Sequence, residues 1–168
     1  MRARVLFLAA VLAAAPGALA AAQDRWDEEE APRDEDMPGR LSLTAWGGSG
    51  LDTGGGGHSI PILGAEAAWS FGGLDLGLAG YGYQGLRAEE ARWDPVLLVR
   101  ATQRFQTYRG LDAALTFGAG AARRDGWDAW FQLALGFRLE LGPMFLAGEV
   151  GFEQDLVRFA GGVGARVF

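Results

Sequence analysis

The segment FQLALGFRLEL, residues 131–141, contains the pattern that decides the fold of this chain. A large apolar residue stands at every second position from Phe131 to Leu141, and small, polar or charged residues stand between them. A repeat of two is the period of a β-strand, whose successive side chains point to opposite faces, whereas a helix repeats about every 3.6 residues. The segment therefore predicts a strand with one apolar face and one polar face.

The same alternation recurs along the rest of residues 40–168, which predicts an all-β domain. The predicted strands are 40–47, 60–71, 74–83, 93–108, 111–121, 128–141, 144–153 and 156–168. Tight connections that contain glycine follow the second, fourth and sixth strands, and most of the other connections are longer. Short turns at one end and longer loops at the other are typical of an eight-stranded antiparallel up-and-down β-barrel.

The two faces of the predicted strands differ in more than charge. The face that carries all the strand charges is also rich in Gly and Ala, which suits the narrow interior of an eight-stranded barrel better than a water-facing surface. The apolar face would then point outward to lipid, making this a transmembrane β-barrel. The opposite arrangement, a periplasmic or secreted lipocalin-like binder with an apolar ligand inside, is the alternative.

Aromatic residues gather near the strand ends, as in the girdles of a transmembrane barrel. The predicted bands are Trp69, Phe71 and Phe105 toward the tight turns, and Trp93, Trp127, Trp130 and Phe131 toward the loops.

With the charged face inside, nine side chains are predicted to form a network in the lumen. They are Glu66, Arg100, Arg104, Arg138, Glu140, Glu149, Glu153, Arg158 and Arg166. Unpaired charges are costly away from water, so these arginines and glutamates are expected to pair and to plug the narrow lumen. Arg138, near the middle of its strand, is expected to face Glu149 on the next strand.

Two further segments precede the barrel. Residues 1–22 contain two early arginines, an apolar run too short to span a bilayer as a helix, and small residues suited to cleavage, which predicts a signal peptide. Residues 23–39 hold eight acidic residues against two arginines, which predicts a disordered acidic periplasmic tail. The predicted β-barrel occupies 40–168.

Composition excludes several kinds of site. The chain has no cysteine, which removes disulfides and thiolate metal sites, and its one histidine cannot form a multi-histidine metal site. Its net charge is −6, whereas binding to nucleic acid requires a basic face. We therefore predict no metal, no cofactor and no nucleic-acid partner.

An export signal, eight alternating strands, tight turns opposite longer loops and a terminal Phe168 together resemble the small outer-membrane β-barrels of the OmpA and OmpX kind. The resemblance covers 40–168 and is one of architecture, without a diagnostic motif. It implies the outer membrane of a Gram-negative-type cell envelope, with both chain termini in the periplasm. It also implies contacts with outer-membrane lipid and with the outer-membrane assembly machinery. A structural or surface-interaction role fits this class, and no external partner is indicated.

The sequence offers little support for catalysis. Some barrels of this class modify lipid A, and His58 beside Ser59 is the pair to consider for such an activity. A general base must be held within hydrogen-bond reach of its nucleophile. His58 and Ser59 are sequence neighbours that follow four consecutive glycines, so nothing holds them in that geometry. We predict no catalytic residue and a non-enzymatic protein, with a lipid A-modifying enzyme as the second alternative.

Overall fold

The computed structural model describes residues 40–53, 58–85, 92–108, 110–123, 126–154 and 156–167. Its strands are β1 (Arg40–Asp52), β2 (Ser59–Phe71), β3 (Leu74–Gln84), β4 (Trp93–Tyr108), β5 (Leu111–Arg123), β6 (Trp127–Leu141), β7 (Met144–Glu153) and β8 (Leu156–Arg166). The predicted signal peptide (1–22), the acidic tail (23–39) and Phe168 lie outside the described residues. The described part of the chain contains no helix long and apolar enough to cross a membrane.

The eight strands close into one barrel. Each strand pairs antiparallel with its neighbours in sequence, and β1 also pairs antiparallel with β8. The paired positions, followed around the barrel from Ser42, return to β1 at Asp52, an offset of ten residues. Such a stagger tilts the strands by about 40° to the barrel axis and leaves an interior that side chains can fill. The predicted eight-stranded antiparallel up-and-down barrel is confirmed.

The connections distinguish the two ends of the barrel. The β2–β3, β4–β5 and β6–β7 turns lie at the same end as Arg40 and Val167, which we call the turn end; the opposite end is the loop end. Gly73, Gly110 and Gly142 adopt φ values of 93°, 75° and 69° in these turns. Glycine reaches this left-handed region without a steric penalty, which is why these turns can be so short.

The first strand is longer than the sequence predicts. β1 runs to Asp52, although residues 48–52 were expected to form a loop because Gly47, Gly48 and Gly50 weaken a strand pattern. A Cβ on Gly48 would lie 2.1 Å from the carbonyl oxygen of Phe159. Glycine is therefore required there by the close approach of β1 to β8, and it does not end the strand. The other strand ends differ from prediction by at most two residues.

The apolar face of the strands points outward. Leu63, Leu78 and Phe137 are 59%, 69% and 53% exposed, while Asp75 on β3 and Arg138 on β6 are 6% and 7% exposed. This arrangement overturns the lipocalin-like alternative, which requires the apolar face to line the interior.

Candidate functional site

The nine side chains predicted for the network all lie in the lumen, in two groups at different heights. Two inward aspartates, Asp75 on β3 and Asp112 on β5, join them. The central cluster, near the middle of the barrel, consists of Glu66, Arg100, Glu149, Glu153 and Arg158. The turn-side cluster consists of Asp75, Arg104, Asp112, Arg138, Glu140 and Arg166.

Two arginines hold the central cluster together by bridging two carboxylates each. Arg100 pairs through Nη1 with Glu66, and its Nη2 lies 2.5 Å from Glu149 Oε2. Arg158 places Nη2 3.0 Å from Glu149 Oε1 and Nη1 2.9 Å from Glu153. The cluster is thus one chain of alternating charge across the lumen, built on the ability of a guanidinium to bond two acceptors at once.

Neutral donors complete the central cluster, which has three carboxylates and only two guanidinium groups. The indole nitrogen of Trp46 donates a hydrogen bond to Glu66 at 3.0 Å. The side-chain amide of Gln132 donates to Glu153 at 2.7 Å, and the hydroxyl of Tyr83 donates to the same carboxylate. These N–H and O–H groups stabilise the excess carboxylate in place of a third cation.

Aromatic rings also contact the two central arginines. The guanidinium of Arg158 lies 4.1 Å from the ring centre of Tyr81, and that of Arg100 lies 5.4 Å from the ring centre of Trp46. Such cation–π contacts are strongest where water is excluded. Sequence reasoning missed these aromatic partners, although Tyr81 and Trp46 occupy the inward positions of β3 and β1 and could have been found by their place in the alternation.

Trp130 is a related correction. It was assigned to the loop-end aromatic band, but it is 1% exposed and faces the lumen. The reason is its position: it shares the alternation of Arg138 on β6, while Trp127 and Phe131 on the same strand point outward and are exposed.

The turn-side cluster has the same chemistry in a more open place. Its ion pairs are Arg104–Asp75 at 3.0 Å, Arg104–Asp112 at 3.0 Å, Arg138–Asp75 at 3.4 Å, Arg138–Glu140 at 2.8 Å and Arg166–Glu140 at 2.7 Å. Three guanidinium groups balance three carboxylates. The side chains of Asp112, Glu140 and Arg166 are partly exposed at the turn end, so this cluster borders solvent.

The pairing predicted between Arg138 and Glu149 is wrong. Arg138 lies opposite Ala147 in the β6–β7 register, and Glu149 lies one inward position closer to the loop end. The guanidinium of Arg138 therefore joins Asp75 and Glu140 of the turn-side cluster, while Glu149 joins Arg100 and Arg158.

A cavity of about 50 Å³ is lined by residues of both clusters. Arg100 and Glu149 line it from the central cluster, and Asp75 lines it from the turn-side cluster. The hydroxyls of Thr102 and Thr116, 2.9 Å apart, belong to its wall. Phe145 and Ala147 also line it, so the wall combines both charge signs and neutral hydroxyls with a larger apolar part.

The loop-side part of the lumen has a different filling. It is packed with buried apolar and aromatic side chains, among them Ile60, Ile62, Tyr83, Val96, Ala122, Trp130 and Leu156. The lumen therefore changes from charged and partly exposed at the turn end to mainly apolar toward the loop end, where Asp94 on β4 is a buried carboxylate.

The candidate catalytic pair is not assembled in the structure. The hydroxyl of Ser59 lies 2.6 Å from that of Ser49, and His58 is an exposed residue whose backbone carbonyl accepts a hydrogen bond from the amide of Asp52. Across the described ranges, no group of three or more His, Asp and Glu side chains is arranged to hold a metal ion.

The fold is shared with known membrane barrels. A de novo designed transmembrane β-barrel superposes with a TM-score of 0.60 at 16% identity, covering 79% of this chain and 99% of that one. The N-terminal β-barrel domain of Pseudomonas aeruginosa OprF gives 0.58 at 12% identity, covering 76% and 97%. Neisserial surface protein A gives 0.54 at 12% identity, covering 77% and 97%. No family model matches the sequence, and no curated protein matches it significantly.

These similarities establish the architecture. The chain has the fold of the small eight-stranded outer-membrane β-barrels, as its strand pattern predicted. At such low identity, the similarity supports a shared fold and not a shared activity with any one neighbour.

Proposed function

We propose that this protein is a non-enzymatic barrel of the outer membrane of a Gram-negative-type cell envelope, with a structural or surface-interaction role. Its lumen is plugged by the Arg/Glu network and the side chains packed around it. Lipid of that membrane surrounds the barrel, and the outer-membrane assembly machinery inserts it. The loops would meet any external partner, whose identity stays open.

The observation that carries this proposal is the exposed apolar band. On β6, outward apolar side chains run from Phe131 to Leu141 without a polar interruption. Ten residue steps of about 3.3 Å, tilted by about 40°, span about 25 Å along the axis. That length matches the apolar band of outer-membrane barrels, which is about 25 Å tall. In water, so much contiguous apolar surface would drive aggregation.

The plug is supported by the packing inside. Arg100, Glu153 and Arg158 are almost completely buried in the middle of the barrel, where they form ion pairs across the lumen. The interior of an eight-stranded barrel is just wide enough for side chains to fill it, and it leaves no wide aqueous channel.

The non-enzymatic role is supported by the loop-end geometry. The hydroxyl of Ser59 forms a hydrogen bond with that of Ser49, and within the described residues it forms none with the imidazole of His58. A lipid A-modifying activity would therefore need a rearrangement of this pair.

The test is fractionation combined with a depth-matched pair of charge insertions. We expect the wild type in the outer-membrane fraction, with a folded band that shifts on heating in gel electrophoresis. Leu135→Arg, at mid-band on β6, should reduce unfolding free energy in lipid vesicles by about 2–4 kcal/mol. The control, Trp127→Arg, lies on the same outward face beyond the band and should cost about 0–1 kcal/mol. A protein found in the soluble fraction, with equal effects of the two substitutions, would contradict the proposal.

A further inference from the structure

Water access differs strongly between the turn end and the middle of the lumen. At the turn end, the side chains of Arg166 and Glu140 are 27% and 17% exposed. In the central cluster, those of Arg158 and Glu153 are 0% exposed. Exposure of the charged side chains thus falls from the turn end to the middle of the barrel, so the turn-side cluster is open to water from the turn end.

The cavity lined by both clusters, which we call the chamber, lies on this path, and the polar part of its wall can bind water. A buried water needs about 10–15 Å³ of such space and about two to four polar partners. Within the described part of the chain, Asp75 Oδ1 and Arg100 Nε are buried without a hydrogen-bond partner, and both side chains line the cavity. Together with the hydroxyls of Thr102 and Thr116, they offer the bonds that a few ordered waters require.

The loop side of the lumen has the opposite character. A layer that we call the apolar seal consists of Ile60, Ile62, Tyr83, Val96, Trp130 and Leu156, none more than 5% exposed. The ring centres of Tyr83 on β3 and Trp130 on β6 are 5.9 Å apart, so side chains from different walls of the barrel meet in the lumen. The hydroxyl of Tyr83 is directed at Glu153, which closes the layer toward the central cluster.

We infer that the barrier to ions in this barrel is the apolar seal, and that the ion-pair network is a brace open to water on its turn side. An ion inside the network exchanges partners with charges already present. An ion in the seal is surrounded mainly by hydrocarbon, because the Tyr83 hydroxyl is already bonded to Glu153 and the nearest buried carboxylate, Asp94, lies opposite Tyr83 at the loop-side border of the layer. Apolar constrictions exclude ions because water does not fill them. This inference rests on the proposed membrane-barrel function and sharpens its plug: of the network and the side chains packed around it, the apolar seal is the part that stops ions.

The first test uses the absence of cysteine, which makes each introduced thiol unique. Thr102→Cys and Val96→Cys lie on the same inward face of β4, one in the chamber wall and one in the seal. The probe is 2-aminoethyl methanethiosulfonate, a small cationic thiol reagent, applied to the folded full chain in detergent and followed by mass spectrometry. We expect Thr102→Cys to react on the order of tenfold faster or more. Equal rates, or faster reaction of Val96→Cys, would overturn the inference.

The second test measures ion conductance in planar bilayers. Arg138→Ala removes two turn-side ion pairs and should leave conductance at the wild-type level. The double variant Ile62→Ser with Val96→Ser makes the seal polar and smaller and should raise conductance on the order of tenfold. Raised conductance in Arg138→Ala with none in the double variant would refute the seal.

Folding is checked first by the heat shift, and the labelling pair does not depend on the double variant. A chain that never enters membranes contradicts the proposed function. A chain that inserts, shows the heat shift and yet reacts equally at both cysteines contradicts only the seal.

Discussion

The central and turn-side clusters are built from the same two kinds of group, guanidinium and carboxylate, yet they sit in different surroundings. The central cluster is enclosed by Trp46, Tyr81 and Tyr83, while the turn-side cluster opens to solvent at Glu140 and Arg166. Charge interactions strengthen as water is excluded, and so does the cost of leaving one charge without its partner. Identical chemistry should therefore contribute very differently to stability at the two heights.

The largest effect should come from the middle of the central cluster. Arg100→Ala leaves Glu66 and Glu149 without their shared cation, and we expect unfolding free energy to fall by about 3–5 kcal/mol. Urea unfolding in lipid vesicles, followed by tryptophan fluorescence, measures the loss. A cost below about 1 kcal/mol would mean that water already solvates these carboxylates.

A smaller effect should follow from removing one neutral donor. Tyr83→Phe keeps the ring and deletes the hydroxyl that donates to Glu153. Hydrogen bonds to charged groups contribute about 1.5–3 kcal/mol, and we expect a loss in that range in the same unfolding assay. Tyr108→Phe, at an exposed position on β4, is the matched control and should change stability very little. Equal effects of the two substitutions would contradict the assigned role of the Tyr83 hydroxyl.

The turn-side cluster should show a measurable but weaker coupling. A double-mutant cycle on Arg138→Ala and Glu140→Ala should give an interaction energy of about 1 kcal/mol, because Glu140 is partly exposed at the turn end and its ion pair borders solvent. The control cycle combines Arg138→Ala with Glu149→Ala, which belong to different clusters, and should be close to additive. Stronger coupling in the control than in the test pair would contradict the observed pairing.

The smallest effect is expected at the mouth of the barrel. Arg166→Ala removes the most exposed guanidinium of the two clusters. Surface ion pairs contribute about 0–1 kcal/mol to stability. The loss should shrink further at high salt, because exposed charges are screened. If unfolding at low and high salt shows Arg166→Ala to be as costly as Arg100→Ala, the contrast between the two clusters does not exist.

The sequence was sufficient for the strands and their faces because both depend on local features. Alternation along residues 131–141 assigns each side chain to a face without any knowledge of the neighbouring strands. The turn glycines are equally local, since a positive φ is a property of one residue. Even the wrong assignment of Trp130 could have been avoided from its position relative to Arg138.

The pairing inside the lumen was less accessible because it depends on closure. Arg138 reaches Asp75, which lies 63 residues away on β3. Which inward residues share a height follows from the ten-residue stagger, and a long guanidinium can choose between partners above and below it. Adjacent strands suggested Glu149 as the partner of Arg138, but the stagger and the side-chain direction decided otherwise. Similarly, the sequence alone suggests that Gly48 ends a strand, because only the structure shows how closely β8 approaches it.

The joint between β1 and β8 has a consequence for how the barrel is completed. The inward residues of β1 from 42 to 50 are Ser42, Thr44, Trp46, Gly48 and Gly50, all uncharged. The arginines of β8 already have carboxylate partners on β6 and β7, and Trp46 has its acceptor on β2. Along this stretch the two ends of the sheet meet through backbone hydrogen bonds and a ring contact between Arg158 and Trp46, with no salt bridge across the joint.

We therefore expect the pairing of residues 42–50 of β1 with β8 to require no new ion pair. Pairing of Ser42 with Arg166 joins residues more than a hundred positions apart, so it is a late event on grounds of chain entropy. By then each charge of the closing strand has been neutralised within its own hairpin or the neighbouring one, and no bare ion has to be carried into the lipid. Along residues 42–50 of β1, the first and last strands can therefore meet, or part, without an exchange of ionic partners.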